Sequence, residues 1–192
     1  MIKTRKDRNF YINEDAKRNG ITRSGWGGYF YYSITQHEDW CAFRYLKCLR
    51  HLEYYINQNG GFINKILLIY YKIKLSRLGR KYQIQIAPNV CGYGLRIMHL
   101  SGGGGLLINA KSVGNYCGFN SGVLIGNNGS QDNRPIIGDH VAFGPGAKAF
   151  GSITIENNVF VAPNAVVVKN VPENCIVGGV PAKIIKYNNE DK

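Results

Sequence analysis

No stretch of this 192-residue chain approaches the roughly 18 consecutive apolar residues of a membrane-spanning helix, and the longest run, Ile66 to Tyr71, is far too short. The N-terminus, MIKTRKDRNF, is basic, but Tyr-Ile-Asn-Glu-Asp follows it where a secretory signal would have its apolar core. The expectation is a cytoplasmic protein. Cysteine is sparse and unpatterned: Cys41, Cys48, Cys91, Cys117 and Cys175 are odd in number, with no Cys-x-x-Cys and no histidine at zinc spacing. That excludes a disulfide framework and gives no metal site, leaving reduced thiols used for packing. Acidic residues are also scarce, 12 against 24 Lys and Arg, for a net charge of +12. The imbalance is uneven: residues 1–82 hold 16 basic and 6 acidic side chains, residues 83–192 hold 8 and 6. The two parts are different objects, a basic N-terminal region (1–82) and a nearly neutral domain (83–186) with a short polar tail (187–192). Positive charge favours anionic partners but does not specify a fold.

What the chain has in quantity is glycine, 24 residues, and with it a repeat. Cut into sixes after Gly105 it reads LLINAK, SVGNYC, GFNSGV, LIGNNG, then, after SQDNRP, IIGDHV, AFGPGA, KAFGSI, TIENNV, FVAPNA, VVVKNV. The second position is Leu107, Val113, Phe119, Ile125, Ile137, Phe143, Ala149, Ile155, Val161 and Val167, always apolar. The fourth and fifth positions always include Asn, Asp, Gly or Pro, as in Asp139-His140, Pro145-Gly146, Asn157-Asn158 and Pro163-Asn164, residues that enter left-handed or preset backbone conformations. One inward aliphatic, a small or aliphatic sixth residue and a turn make a very short strand plus a corner. Six residues bury nothing alone, so successive coils must stack into a β-solenoid around a dry column. A β-sandwich would need period-two alternation and turns every 8 to 12 residues, which this stretch lacks. Two six-residue segments, Leu100–Gly105 and Ser130–Pro135, put Ser101 and Gln131 where the aliphatic belongs, and read as loops pushed out of the coil.

Three motifs accompany the repeat: Gly92-x-Gly-Leu-x-Ile-x-His99, the run Ile136-Ile-Gly-Asp-x-Val-x-Phe-Gly-Pro-Gly-Ala-Lys148, and the ending Val177-Gly-Gly-Val-Pro-Ala-Lys183. With these, Pro88 to Lys186 resembles the hexapeptide-repeat acyltransferases, most of all the branch of serine O-acetyltransferase and its relatives in surface-polysaccharide gene clusters. The resemblance implies a left-handed parallel β-helix, a homotrimer, and acetyl-CoA as donor in the cleft between subunits. It assigns His99 as general base, which fits an imidazole's affinity for protons near neutral pH. It aligns Gly126, Asn127, Gly144, Pro145, Ala162 and Pro163 with the donor cleft, and Lys183, with Lys186 nearby, with the CoA phosphates. His37, His51 and His140 lie outside any motif and read as surface or packing residues.

Against the serine enzymes the chain departs in four places. Where they carry an Asp in the coil before the histidine, an Asp immediately before it and an Arg-His pair in the later loop, this sequence has Gln85, Met98, Asn133 and Arg134. Serine needs its two charges matched, because unpaired charges are costly to bury. Neutral Gln85, Asn133 and Ser101 suit a sugar hydroxyl instead. The expectation is therefore a surface-polysaccharide O-acetyltransferase, with serine O-acetyltransferase and a non-catalytic trimeric scaffold or binding protein as alternatives; no nucleic-acid-binding motif is present. His99 is left to be oriented by a backbone carbonyl or Asp132.

In the N-terminal region, Trp40, Phe43, Leu46, Leu49, Leu52 and Ile56 fall at helical spacing, and a second basic, aromatic helix is expected from Gly61 to Leu78. These helices would cap the solenoid, join the trimer or rest on the inner face of an anionic membrane.

Overall fold

The computed structural model describes residues 1–21, 25–35, 37–130 and 132–188. Four helices, α1 (Arg5–Arg18), α2 (Gly25–Thr35), α3 (Glu38–Ile56) and α4 (Phe62–Tyr82), precede fourteen short strands, β1 to β14 in chain order. The first two helices were not foreseen. Thr4 starts α1 with a capping box, its hydroxyl accepting from Asp7 N while the Asp7 carboxylate accepts from Thr4 N, a local signal present in the sequence.

The strands form three parallel faces. One stacks β1 (Ile84–Ile86), β3 (Leu106–Ile108), β6 (Leu124–Gly126), β9 (Lys148–Phe150) and β12 (Val166–Val167). The second stacks β4 (Ser112–Val113), β7 (Ile136–Ile137) and β10 (Thr154–Ile155). The third stacks β2 (Arg96–Met98), β5 (Gly118–Asn120), β8 (Ala142–Phe143), β11 (Phe160–Val161) and β13 (Cys175–Gly178), with β14 (Lys183–Tyr187) antiparallel on its edge. Equivalent side chains sit on one another in the core: Val113, Ile137 and Ile155 on the second face, and Phe119, Phe143 and Val161 on the third. The corners use the predicted turn residues, with His140, Gly146, Asn158 and Asn164 all at positive φ. At one corner each side chain accepts from the backbone of the coil before it: Asn157 Oδ1 from Asp139 N (2.8 Å), and Asp139 Oδ1 from Asn115 N (2.6 Å).

One repeat position fails. Leu107 is half-buried while Leu106 and Ile108 are buried, because β3 pairs with β6 one residue out of the six-residue frame, Ile108 over Ile125. The corner between β3 and β4 is one residue short, five residues from Ile108 to Val113 where the repeat has six. Since strand faces alternate, the slip turns Leu107 outward.

The opening of the solenoid is where the helices matter. Backbone groups of the first coil have no coil above them, and buried unpaired backbone groups are costly. Side chains from α1 and α3 take that place. Tyr45 Oη accepts from Ile86 N (3.0 Å), Asp15 Oδ1 from Leu95 N (2.9 Å), Asn19 Oδ1 from Ile97 N (3.2 Å) and Glu53 Oε1 from Asn89 N (2.8 Å). Asn19 Nδ2 donates to Leu95 O (2.8 Å), and Arg50 donates to Cys91 O (3.0 Å) and Gly92 O. Arg50 is fully buried between Asp15 (2.8 Å) and Glu53 (3.0 Å). Burial by itself would lower its pKa, but the two carboxylates outweigh it and the net shift is upward. Arg50 is the hub of the cap.

His51 stacks on Tyr71, their rings 4.8 Å apart, and burial, with Arg8, Lys47 and Lys74 adding to it, pushes its pKa down to about 4, so it packs as a neutral ring. Among the described residues no helix is long and apolar enough to cross a membrane.

Arg50→Met strands two buried carboxylates, and should cost about 3–5 kcal/mol of unfolding free energy, the usual effect of removing one partner of a buried pair. Urea denaturation of the variant against wild type measures this; a loss below about 1 kcal/mol would mean that the network does not hold the cap.

Candidate active site

The third face delivers β2 to a corner, where the chain leaves the coil. His99 follows Met98 with φ 56° and ψ 43°, a left-handed conformation that residues bearing a Cβ adopt rarely. One 3₁₀ turn, Leu100–Gly102, follows, with Gly102 N donating to His99 O at 3.0 Å. Gly103, Gly104 and Gly105 then all take positive φ before β3 begins. This is the protruding loop expected from the broken repeat. Its imidazole stands in solvent, 67% exposed.

A carboxylate meets this loop from outside the solenoid. Glu38, in the first turn of α3, accepts through Oε1 from His99 N (3.3 Å) and through Oε2 from the Ser101 hydroxyl (3.0 Å). The same Oε1 lies 3.7 Å from His99 Nδ1, an ion-pair distance longer than a hydrogen bond. Nε2, across the ring, has no protein partner among the described residues. Neither Asp132 nor a backbone carbonyl fills the orienting role expected from sequence; no spacing rule connects Glu38 to a residue 61 positions away.

Below His99 the same corner recurs in every coil. The register of β2, β5, β8, β11 and β13 puts Ser121, Pro145, Pro163 and Gly179 at the position equivalent to His99. At ~4.8 Å per coil, four steps extend the column about 19 Å. Gly144 and Ala162 sit one residue earlier, and a Cβ on Gly144 would stand 2.7 Å from Pro163 N, so only glycine fits this approach. Lys183, exposed at the start of β14, pairs with Gly178 at the end of the column. Thus Gly144, Pro145, Ala162, Pro163 and Lys183 come together. Gly126 and Asn127 do not join them, since they end a strand of the first face at another corner.

The acceptor residues divide as well. Ser101 is beside Glu38, but Gln85 projects from the first face into a groove of about 1250 Å³ between α4 and the solenoid, whose lining includes neither His99 nor Ser101. Asn133 and Arg134 precede β7 of the second face, and Gln131 lies outside the described residues. The buried Nε of Arg134 has no hydrogen-bond partner among the described residues.

Other chemistry finds little support. Burial pushes the Cys117 thiol up to about 12 and the Cys48 thiol up to about 11, so neither is a thiolate near neutral pH. Among the described residues no cluster of His, Cys, Asp or Glu could hold a metal ion.

No family model matches the chain. It is 36% identical over 116 residues to the serine acetyltransferase of Synechococcus elongatus, covering 58% of this chain and 46% of that protein. It is 33% identical over 115 residues to the serine acetyltransferase of Staphylococcus epidermidis, covering 58% and 54%. The chain spans about half the length of the curated relatives it matches. Among solved structures, the serine acetyltransferase of Brucella abortus superposes with a TM-score of 0.70 at 22% identity, covering 95% of this chain and 70% of that one. Soybean serine acetyltransferase complexed with serine gives 0.71 at 21% identity, covering 93% and 69%. At that identity the likeness shows the fold, a parallel β-solenoid behind a helical region.

These relatives overturn the expectation of a surface-polysaccharide acetyltransferase, since they are named for serine. The sugar reading rested on neutral residues at positions 85, 98 and 133, but the folded chain brings a carboxylate, Glu38 of α3, to His99 from outside those positions.

Proposed function

We propose that this protein is an acetyl-CoA-dependent O-acetyltransferase whose acceptor is the hydroxyl of L-serine. The observation that carries the reading is His99, an exposed imidazole with a carboxylate at Nδ1 at the head of the corner column, in a chain similar to serine acetyltransferases. His99 Nε2 takes the proton of the serine hydroxyl as its oxygen attacks the thioester carbonyl. The tetrahedral intermediate collapses with cleavage of the C–S bond, and the departing thiolate of CoA recovers the proton from His99. No covalent enzyme intermediate is needed, which agrees with the high thiol pKa values of the buried cysteines.

The donor extends down the corner past Pro145 and Pro163, with Lys183 and Lys186 as point charges for its phosphates. Arg134 receives the serine carboxylate, a fork suited to a planar anion. His99 and Arg134 leave different faces of one solenoid, so they can share a ligand across two copies of the chain, and the working form is a homotrimer with its sites in the subunit clefts.

Purified protein should release CoA from acetyl-CoA when L-serine is added, as read by a thiol-trapping assay. His99→Ala should leave the fold unchanged and lower kcat by about 10² to 10⁴, the contribution of a positioned general base. Arg134→Gln should act mainly on KM for serine, by about 10-fold or more, the loss of one charged hydrogen bond. A folded, acetyl-CoA-binding protein with no serine turnover would refute the acceptor; full activity of His99→Ala would refute the base.

A second reading concerns where the protein works. Phe62, Ile63, Ile66, Ile69, Tyr70 and Ile73 are exposed on α4 within one arc of the helix, and its 21 residues include Lys65, Lys72, Lys74, Arg77, Arg80 and Lys81 with no acidic residue. An apolar stripe bordered by cations suits an anionic bilayer surface. Ile66→Glu/Ile69→Glu should abolish co-sedimentation with phosphatidylglycerol vesicles while pure phosphatidylcholine vesicles bind neither protein. If wild type fails to bind, or if the variant instead dissociates the oligomer, the stripe is a subunit contact.

A further inference from the structure

The loop that presents His99 is poorly held by its own chain. Four consecutive glycines, Gly102 to Gly105, follow the histidine, three of them at positive φ, and the His99 backbone is itself left-handed. Glycines lose the most conformational freedom on ordering, so such a segment needs an external tether to keep one geometry. The tether is Glu38, through His99 N, the Ser101 hydroxyl and the face of the imidazole that carries Nδ1. Glu38 is held in turn. It lies 12 residues before Arg50 on the same helix, about 18 Å along a rod pinned to the first coil by Asp15, Glu53, Cys91 and Gly92.

We propose that Glu38 is the positioning residue of His99: it fixes the loop and selects the imidazole tautomer with the proton on Nδ1 and the lone pair on Nε2. The inference rests on His99 being the base. A carboxylate at Nδ1 favours Nδ1–H and stabilises the imidazolium that forms as Nε2 accepts a proton. The 3.7 Å separation is an ion-pair distance, and the proposal requires it to shorten to a hydrogen bond in the Michaelis complex. No neighbour in sequence could do this, because the residue before His99 is Met98. Among the described residues Asp132 makes no hydrogen bond or ion pair with His99, whose carboxylate neighbour is Glu38.

Glu38→Gln keeps one oxygen to accept from His99 N, replaces the other with an amide NH2 that can only donate to the Ser101 oxygen, and removes the charge; Asp39 preserves an acid in the first turn of α3. Expected is a fall in kcat of up to ~10²-fold, the scale of a misplaced catalytic group, with KM for acetyl-CoA and the melting temperature unchanged and part of the loss recovered in Glu38→Asp. On a His99→Ala background the Glu38 change should add nothing, since the two act as a unit. In the ¹⁵N spectrum of histidine-labelled protein, the Nδ1–H signature of His99 should weaken in Glu38→Gln. Unchanged kcat and an unmoved spectrum would overturn the proposal, and a rise confined to KM for serine would put Glu38 on the acceptor instead. A wild type without serine turnover would sink the acceptor reading alone, because the spectrum still tests the contact.

Discussion

A stack of coils satisfies its backbone everywhere except at its ends, and the rest of this structure depends on how the first coil is closed. Seven backbone hydrogen-bonding groups of that coil, from Ile86 to Ile97, are met by Tyr45, Asp15, Asn19, Arg50 and Glu53. The arrangement brings one cation and two carboxylates into a site without solvent. Such a group adds little net stability against an apolar alternative, but it tolerates few docking geometries, because each misplacement leaves a charge or a backbone group unpaired. It fixes α1 and α3 against the coil that ends in His99. The helical region is therefore more than a cover, since it sets where the first turn of α3 lies relative to the loop that carries His99.

The solenoid supplies the rest by repetition. Each coil returns to the same corner, so a turn that serves folding in one coil becomes, when stacked, a straight edge of backbone leading away from His99. Small residues there have a structural reason: Gly144 has no room for a side chain beside Pro163. A donor with a long amide-bearing arm suits such an edge, and the exposed lysines near β14 give it an electropositive end. The acceptor is a different problem. The residues proposed for it, Ser101 and Arg134, lie on segments that break the repeat and leave different faces, which is why the proposal draws on a second copy of the chain.

Much of this was legible in the sequence, and the exceptions have causes. The hexapeptide period announced nine of the ten inward residues; it missed at Leu107 because the corner after β3 is one residue shorter than the repeat. Helices α3 and α4 followed from apolar spacing, whereas α1, polar on most faces, carried only its capping residues as a signal. Nothing local in the sequence says that two acids will meet Arg50. The acceptor expectation weighed only the side chains at aligned positions and is corrected by the relatives named for serine, while Glu38 reaches His99 from a helix 61 residues upstream that no such alignment covers.

The sequence by itself determined the solenoid, its corners and the histidine at the head of one of them, since a repeating unit writes its fold into every copy and each turn depends on residues next to one another. Only the tertiary structure decided which carboxylate stands behind His99, which arginine closes the first coil, and which proposed ligand residues share a corner. Those are single polar contacts between distant segments, without a period, and their partners are chosen by the docking of helices onto a coil whose unpaired backbone must be satisfied.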